Sequence, residues 1–225
     1  MPLNLTRDQM IQLQDLRRQW YEIVRPIDGF VPSKFIEPVP EFLIEHLNGA
    51  RILPKRADVM SFLPTGAKIA EVGTQQGLFA KKIYDVLRPD ELHLFDVDFS
   101  PFHLKSLLPE GTKGLVLHQG DSSTLLSGFP DAYFDIIYID GDHSYEGVKR
   151  DADVAVRKIK PNGVLWFNDF TPWSPVEMID YGVPYVVSEL CHSGEWKIEF
   201  LALHPLFYSD VVLTKSDANK GRDHG

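Results

Sequence analysis

The stretch Lys68-Ile-Ala-Glu-Val-Gly-Thr-Gln-Gln-Gly-Leu-Phe-Ala-Lys-Lys-Ile83 decides the fold of this chain. Residues 69–72 form a short, mostly apolar run, which is typical of a parallel strand buried on both faces. A turn bracketed by Gly73 and Gly77 follows, and apolar residues then recur at helical spacing. Glycines let the backbone approach a ligand closely, and the first turn of a helix offers free N–H groups. The stretch therefore predicts a strand, a ligand-binding turn and a helix.

Glu71 indicates which ligand suits this turn. Its carboxylate, at the end of the strand, repels a pyrophosphate group and attracts a cationic amino group. The glycines also follow a Gly-x-x-x-Gly pattern and not the Gly-x-Gly-x-x-Gly fingerprint of dinucleotide sites. Taken alone, the pattern is equally consistent with an ordinary strand-to-helix turn, so the rest of the chain has to separate the two interpretations.

Composition limits the classes of protein to consider. With 225 residues, 44% of them hydrophobic, the chain has the size of one α/β domain with an N-terminal extension. Its formal net charge of −9 disfavours nucleic acid and anionic membranes as partners. Cys191 is the only cysteine, and no apolar run approaches the ~18 residues of a membrane span. We therefore expect a cytoplasmic protein without an intrachain disulfide.

The N-terminal part of the chain is predicted to be an arm. Thr6 and Gln9 have the spacing of a capping box, and an apolar stripe at helical spacing follows. Prolines then recur up to Pro54, which predicts an irregular segment with a short helix over residues 41–47. Two interpretations of the arm stay open: a lid over a ligand site, or else a packing arm or a homodimer contact. The predicted divisions are an arm at 1–56, a main domain at 57–214 and a disordered tail at 215–225.

Acidic residues follow the second and third predicted strands. Asp96 ends the second strand, 23 positions after Gly73. That offset is close to the roughly 20 residues at which α/β nucleoside sites place a carboxylate for the ribose hydroxyls. Asp98 is the second candidate for this role. After the third strand, Asp121 and Ser122 have two equally supported interpretations: contacts to an exocyclic amine, or the N-cap of the next helix.

Polar residues also lie at the ends of the clearest predicted strand, residues 134–140, and of a fifth strand, residues 164–167. They are Asp140, Asp142 and His143 after the first of these strands, and Asn168 and Asp169 after the second. The carboxyl ends of parallel strands meet at one edge of a sheet, where titratable residues are expected for catalysis and have little reason to lie for stability. The sequence therefore predicts an active site at this edge, although Asp142 has the alternative role of a helix cap.

The last third of the chain predicts a helix over residues 176–191 and two alternating strands, residues 196–203 and 208–213. Only about four residues separate the two strands, which is too few for a crossover connection. They must therefore pair antiparallel, so the sheet is expected to end in a hairpin.

These motifs resemble those of class I S-adenosylmethionine-dependent methyltransferases, and among them the branch that contains small-molecule O-methyltransferases. The resemblance covers about residues 57–214 and rests on Glu71-Val-Gly-x-x-x-Gly77, on the strand-end acids and on Tyr138-Ile-Asp-Gly-Asp-His-Ser-Tyr145. It implies a Rossmann-like α/β fold: a seven-stranded, mostly parallel sheet with an antiparallel C-terminal hairpin, helices on both faces and an N-terminal helical extension.

The resemblance also implies roles for site residues. Glu71, Gly73 and Gly77 would surround the methionine part of the cofactor, Asp96 the ribose, and Asp121 with Ser122 the adenine. Thr74, Gln75 and Asp140 complete the implied cofactor-binding set. The chain departs from the family where Gln75 replaces a frequent glycine, and where the amide of Asn168 precedes the acid of Asp169.

We therefore expect an enzyme that transfers the methyl group of S-adenosylmethionine to a hydroxyl of a small molecule, such as a sugar, a phenol or a natural-product intermediate. His143 is the predicted general base, and Asp140 orients the acceptor. A Mg²⁺ site formed by Asp140, Asn168 and Asp169 and a metal-free site are almost equally supported. The alternatives are a catalytically silent module that binds S-adenosylmethionine and, less favoured, a dinucleotide-dependent oxidoreductase. The sequence does not identify the acceptor or the oligomeric state.

Overall fold

The computed structural model describes residues 6–24, 38–101, 108 and 111–216. It contains two compact units, Met1–Pro38 and Val39–Gly225. Most of the proline-rich part of the predicted arm, residues 25–37, lies outside the described residues. The predicted tail also lies outside them from residue 217 onward, whereas Lys215 is the last residue of a strand.

The first unit contains helix α1 (Arg7–Val24). The start of α1 has the predicted capping box: the backbone N–H of Thr6 donates to Gln9 Oε1 (2.9 Å), and the backbone N–H of Gln9 donates to Thr6 Oγ1 (3.2 Å). The N-terminal helical extension is thereby confirmed. Among the described helices, α1 included, none combines the length and the apolar character needed to cross a membrane.

The second unit is built on a mixed β-sheet. Its strands are β1 (Arg51–Leu53), β2 (Lys68–Val72), β3 (Glu91–Asp96), β4 (Leu115–Gln119), β5 (Phe134–Ile139), β6 (Ile159–Phe170), β9 (Trp196–Ala202) and β10 (Ser209–Lys215). Two short strands, β7 (Trp173–Ser174) and β8 (Ile179–Asp180), form a separate antiparallel pair. The order in the main sheet is β1-β9-β10-β6-β5-β2-β3-β4.

The pairing of the strands confirms the predicted fold class. β2 pairs in parallel with β3 and β5, β3 pairs in parallel with β4, and β5 with β6. β10 is antiparallel to both β6 and β9, which confirms the C-terminal hairpin. The sheet has eight strands and not seven, because Arg51–Leu53 pairs in parallel with β9. This three-residue strand lies among prolines in the sequence and is too short to show a periodic pattern.

Helices cover both faces of the sheet. α2 (Arg56–Val59) and α3 (Leu78–Leu87) share one apolar cluster with Ile69 of β2 and Ile136 of β5. α4 (Ser122–Ser127), α5 (Tyr145–Lys158) and α6 (Val183–His192) share the other cluster with Ala70 and Ile137. Neighbouring residues of β2 and β5 thus alternate between two cores, as expected for strands buried on both faces.

Two helices are shorter than the sequence predicted. In place of a helix over residues 176–191, the chain forms the β7–β8 pair and then α6, which begins only at Val183. Pro184 lies in the first turn of α6, where proline is tolerated, and it disfavours helical structure immediately before it. The predicted helix at 41–47 is a single 3₁₀ turn, Ile44–Leu47.

We predict that the centre of the sheet, and not its edge, sets the free energy of unfolding. Ile69→Ala removes a fully buried side chain from β2 and should cost about 2–5 kcal/mol, because it leaves a cavity between β2 and α3. Ile52→Ala, on the edge strand β1 where the side chain is 69% exposed, is the matched control and should cost less than about 0.5 kcal/mol. Urea denaturation measures both, and equal losses would contradict the prediction.

Candidate active site

A cleft of about 620 Å³ opens at the carboxyl ends of β2, β3, β4 and β5. Its volume is in the range of small-molecule sites. The sequence-predicted residues that line it are Glu71, Gly73, Thr74, Gln75, Asp96, Asp121, Ser122, Asp140, Asp142 and His143. The predicted residues that do not line it are Gly77, Asn168 and Asp169. The structure therefore brings most of the predicted set together around one cavity.

Gly73 holds the loops after β2 and β5 against each other. Its φ is +80°, and a Cβ at this position would lie 2.0 Å from the carbonyl oxygen of Asp140, so only glycine fits. The backbone N–H of Asp140 donates to the Val72 carbonyl (2.8 Å), which ties the same two loops. Gln75 also has a positive φ of 47°, a conformation that costs a residue with a Cβ some free energy. That conformation explains why glycine is favoured at this position of the motif.

Asp96 shapes the loop after β2. Its Oδ2 accepts hydrogen bonds from the backbone N–H groups of Thr74 (2.9 Å) and Gln75 (2.8 Å). Its Oδ1 accepts from the backbone N–H of Asp98 (3.0 Å). The carboxylate of Asp98 instead accepts from both the backbone and the hydroxyl of Ser100, which lowers its pKa. Of the two candidates for the ribose, Asp96 lines the cleft and Asp98 does not.

Glu71 is a buried acid in the wall of the cleft. The residue is 1% exposed, and its Oε2 has no hydrogen-bond partner among the described residues. Burial raises the pKa of Glu71 well above its usual range, the charge of Asp140 adds to this shift, and the nearby Arg56 guanidinium opposes it. A buried carboxyl oxygen without a partner is costly. The position therefore suits a ligand that brings a cation or a hydrogen-bond donor.

Asp121 and Ser122 have structural roles at the opposite end of the cleft. Asp121 is the N-cap of α4: its carboxylate accepts from the backbone N–H of Thr124 and from the hydroxyl of Ser123, both at 2.8 Å. These hydrogen bonds lower the pKa of Asp121 to about 2. The Ser122 hydroxyl donates to Asp151 Oδ1 (2.6 Å), and burial raises the pKa of Asp151 to about 6. The N-cap geometry is thus present, and a contact to adenine stays a prediction.

His143 lies between two carboxyl groups. Its Nε2 is 3.5 Å from Asp140 Oδ1 and 3.8 Å from Asp169 Oδ2, which are ion-pair distances. Nε2 is buried and has no hydrogen-bond partner among the described residues. The ring stacks on Tyr181, with 4.6 Å between centroids and 11° between planes. Burial lowers the pKa of the imidazole, but Asp140, Asp169 and Glu177 outweigh it, so that the pKa is raised above its usual 6.5.

Two of the three residues predicted to bind Mg²⁺, Asn168 and Asp169, do not line the cleft. The side-chain amide of Asn168 is buried and donates to Asp210 Oδ1 (3.2 Å), inside the sheet. Asp169 has a positive φ of 53°, and burial raises its pKa to about 6, although His143 opposes this shift. In the part of the chain that the structure describes, no group of three or more His, Cys, Asp or Glu side chains is arranged to hold a metal. The described residues therefore do not support the predicted Mg²⁺ site. The N-cap of α5 is Ser144, whose hydroxyl oxygen accepts from the backbone N–H of Gly147 (3.1 Å), and not Asp142, whose carboxylate accepts from the backbone N–H of Ser144 (2.9 Å).

Several polar residues in or near the cleft were not predicted from the sequence, among them Arg56, Glu177 and Asp210. Arg56 and Glu177 line the cleft, from segments before and after the motifs. Asp210, on β10, is 1% exposed and accepts hydrogen bonds from Trp166 Nε1 (2.8 Å) and from Asn168. Burial raises the pKa of Asp210 to about 7, partly opposed by Arg56. A weak signal existed for Asp210 alone: it lies directly before the apolar run at residues 211–213.

Residues 70–170, which are less than half of the chain, match a family model described as "Methyltransferase domain". This segment contains the loops after β2, β3, β4 and β5 that form the cleft. No curated protein matches the chain significantly.

Solved structures with a similar fold act in different reactions. The chain is similar to phosphoethanolamine N-methyltransferase 1 of Haemonchus contortus (16% identity, 71% of this chain and 41% of that chain, TM-score 0.52). It is also similar to the ribosomal protein L11 methylase of Lactobacillus delbrueckii subsp. bulgaricus (13% identity, 76% of this chain and 77% of that chain, TM-score 0.51). A third similar structure is the spermidine synthase of Thermotoga maritima (14% identity, 80% of this chain and 61% of that chain, TM-score 0.50). The chain spans less than two thirds of the length of the first and third of these. At such identities the likeness shows the fold alone: the chain has the Rossmann-like methyltransferase fold.

We predict that Asp151 makes stability fall as the pH rises. Its carboxyl group has a pKa of about 6 in the folded protein against an ordinary 3.8, so folding favours the protonated form. Between about pH 4 and about pH 6 the wild type should therefore lose about 2–3 kcal/mol relative to Asp151→Asn, whose amide oxygen can still accept from Ser122.

Asp153→Asn is the control for this experiment, because Asp153 lies on the same helix but is exposed and pairs with Lys149. It should change the free energy of unfolding by less than about 0.5 kcal/mol at any pH. Urea denaturation of the three proteins at several pH values measures the difference. A constant offset between Asp151→Asn and the wild type across this range would show that the pKa of Asp151 is not raised.

Proposed function

We propose that this protein is an S-adenosylmethionine-dependent methyltransferase that methylates a hydroxyl group of a small molecule. The observation that carries the proposal is the buried, unpartnered carboxyl group of Glu71 in the cleft wall. It lies within the segment that matches a methyltransferase domain. The methionine part of S-adenosylmethionine carries an ammonium group that would give Glu71 a partner, whereas the pyrophosphate of a dinucleotide would be repelled. A dinucleotide-dependent oxidoreductase is therefore disfavoured.

The cofactor would lie across the ends of β2, β3 and β4. Glu71 and the loop containing Gly73, Thr74 and Gln75 would bind its methionine part. Gly77 would leave room for the cofactor at the turn that leads into α3. Asp96 would bind the ribose, since each carboxylate oxygen can accept more than one hydrogen bond. Asp121 and Ser122 would lie beside the adenine, where their capping contacts fix the shape of the loop.

His143 is the proposed general base. S-adenosylmethionine supplies a methyl group bound to a positively charged sulfur. With the cofactor bound, an acceptor hydroxyl would lose its proton to His143 Nε2 as its oxygen takes up the methyl group, and the carboxylates of Asp140 and Asp169 would stabilise the imidazolium that forms. The methyl group would replace that proton on the oxygen, and the methyl donor would leave as a neutral thioether. A cleft-lining histidine held between the carboxyl groups of Asp140 and Asp169 favours this enzyme over a silent binding module, which has no need of a base.

We predict that the purified protein binds S-adenosylhomocysteine, the demethylated product, and that Asp96→Ala weakens binding by about 1–3 kcal/mol. The loss is expected because the carboxylate holds both the ribose and the Thr74–Gln75 backbone. Isothermal titration calorimetry measures the affinity.

Asp98→Ala is the matched control for this measurement and should bind normally, because its carboxylate is engaged by Ser100. NAD should give no heat of binding. Normal affinity in Asp96→Ala would remove the ribose assignment, and binding of NAD alone would reject the proposed class.

We predict that His143→Gln slows methyl transfer about 10²- to 10⁴-fold and leaves the Kd for S-adenosylhomocysteine unchanged, because only proton transfer is lost. Transfer from radiolabelled S-adenosylmethionine to a panel of phenols and sugars identifies an acceptor and then measures the rate. His192→Gln, on α6 and outside the cleft lining, is the control and should keep wild-type activity. A wild-type rate in His143→Gln would exclude a general-base role for this residue.

A further inference from the structure

We propose that Arg56 and Tyr138 are positioning residues that hold the Asp140 carboxylate beside His143. The inference rests on the proposed function of His143. Neither residue contacts His143 in this scheme: both act through Asp140. The supporting observations are the donor and acceptor capacities of the three side chains, their distances and the burial of Tyr138.

Arg56 enters the cleft from outside the motif-bearing segment. It is the first residue of α2, directly after β1, whose pairing with β9 fixes this part of the chain to the sheet. Its guanidinium carbon lies 4.4 Å from the ring centroid of Phe79, and Nη1 donates to Tyr138 Oη (3.0 Å). Burial lowers the pKa of Arg56, but Tyr138, Asp210 and Asp140 outweigh it and raise the pKa. The Arg56 guanidinium is therefore charged, and it is positioned by the Phe79 ring and the Tyr138 hydroxyl.

The hydroxyl of Tyr138 has only one orientation that satisfies its neighbours. Tyr138 is fully buried on β5, and its Oη lies 3.0 Å from both Arg56 Nη1 and Asp140 Oδ2. A guanidinium has donors and no acceptor, so the Tyr138 oxygen must accept from Arg56. Its single proton must then point to Asp140 Oδ2. The direction of the relay, from Arg56 through Tyr138 to Asp140, follows from this chemistry.

The relay fixes which oxygen of Asp140 faces His143. With Oδ2 held by Tyr138, Oδ1 is the oxygen 3.5 Å from His143 Nε2. The other groups around the imidazole are Asp169, Glu177 and the stacked ring of Tyr181. Without the Tyr138 hydroxyl, the Asp140 carboxylate and the Arg56 cation would attract each other directly across the gap. Asp140 would then move away from His143, and a shift of about 1 Å at a catalytic group can cost about 100-fold in rate.

Proton NMR of the full-length protein tests the relay without an acceptor. The Tyr138 hydroxyl proton should be protected from exchange in the wild type and is assigned by its loss in Tyr138→Phe. In Asp140→Asn this resonance should move upfield, because a neutral amide oxygen is a weaker acceptor than a carboxylate. In Asp142→Asn, the matched control two residues away, the resonance should stay in place. The inference would be overturned if the wild type shows no protected hydroxyl signal, or if that signal does not move in Asp140→Asn.

The kinetic test separates positioning from binding. Tyr138→Phe should lower kcat about 10- to 100-fold and leave the Kd for S-adenosylhomocysteine within about twofold of the wild type. Tyr133→Phe, which removes a hydroxyl bonded to Glu91 outside the cleft, should change neither quantity. An unchanged kcat in Tyr138→Phe would overturn the inference and leave the proposed function standing. Failure to bind S-adenosylhomocysteine in the wild type would reject the proposed function, and the NMR result on the relay would be unaffected.

Discussion

The close contact of Gly73 with the backbone of Asp140 is the constraint on which the site depends. It brings the loop after β2 against the loop after β5, so that the glycine turn and the Asp140–His143 pair share one cavity. Asp96 adds a second tie from β3 through the backbone of Thr74 and Gln75. Backbone contacts therefore set the spacing of the three strand ends, and a side chain at position 73 would separate them.

Several buried or partly buried carboxyl groups lie in the wall of the cleft or behind it. Glu71 and Asp210 are almost fully buried, Asp140 and Asp169 are partly buried, and Arg56 is the guanidinium that faces them. Removing several carboxylates from water costs more free energy than their attraction to the Arg56 guanidinium returns. Burial therefore raises the pKa of Glu71, Asp169 and Asp210. A ligand with a positive charge lets these groups ionise at lower cost, so the wall itself favours such ligands.

The sequence predicted what is encoded locally and missed what depends on distant pairing. The strand and turn around Gly73, the helix caps at Thr6 and Asp121 and the C-terminal hairpin follow from short-range patterns, and the structure has all of them. β1 was missed because a strand of three residues is too short to show a periodic pattern of apolar residues. It is part of the sheet only through its pairing with β9. Arg56 and Asp210 were missed for the same reason: each becomes part of the site only after distant strands pair.

The fold leaves the choice of acceptor open, because its structural neighbours act on a ribosomal protein, on phosphoethanolamine or in spermidine synthesis. The segment that matches the methyltransferase domain ends at residue 170, just before the β7–β8 pair. Glu177, between those strands, lines the cleft and accepts from the Tyr181 hydroxyl (2.7 Å), and the Tyr181 ring stacks on His143. A contiguous set of contacts thus joins this hairpin to the proposed base. Under the proposed function, a change in this hairpin would also act on the orientation of His143, so that acceptor choice and proton transfer would be coupled through the Tyr181 ring.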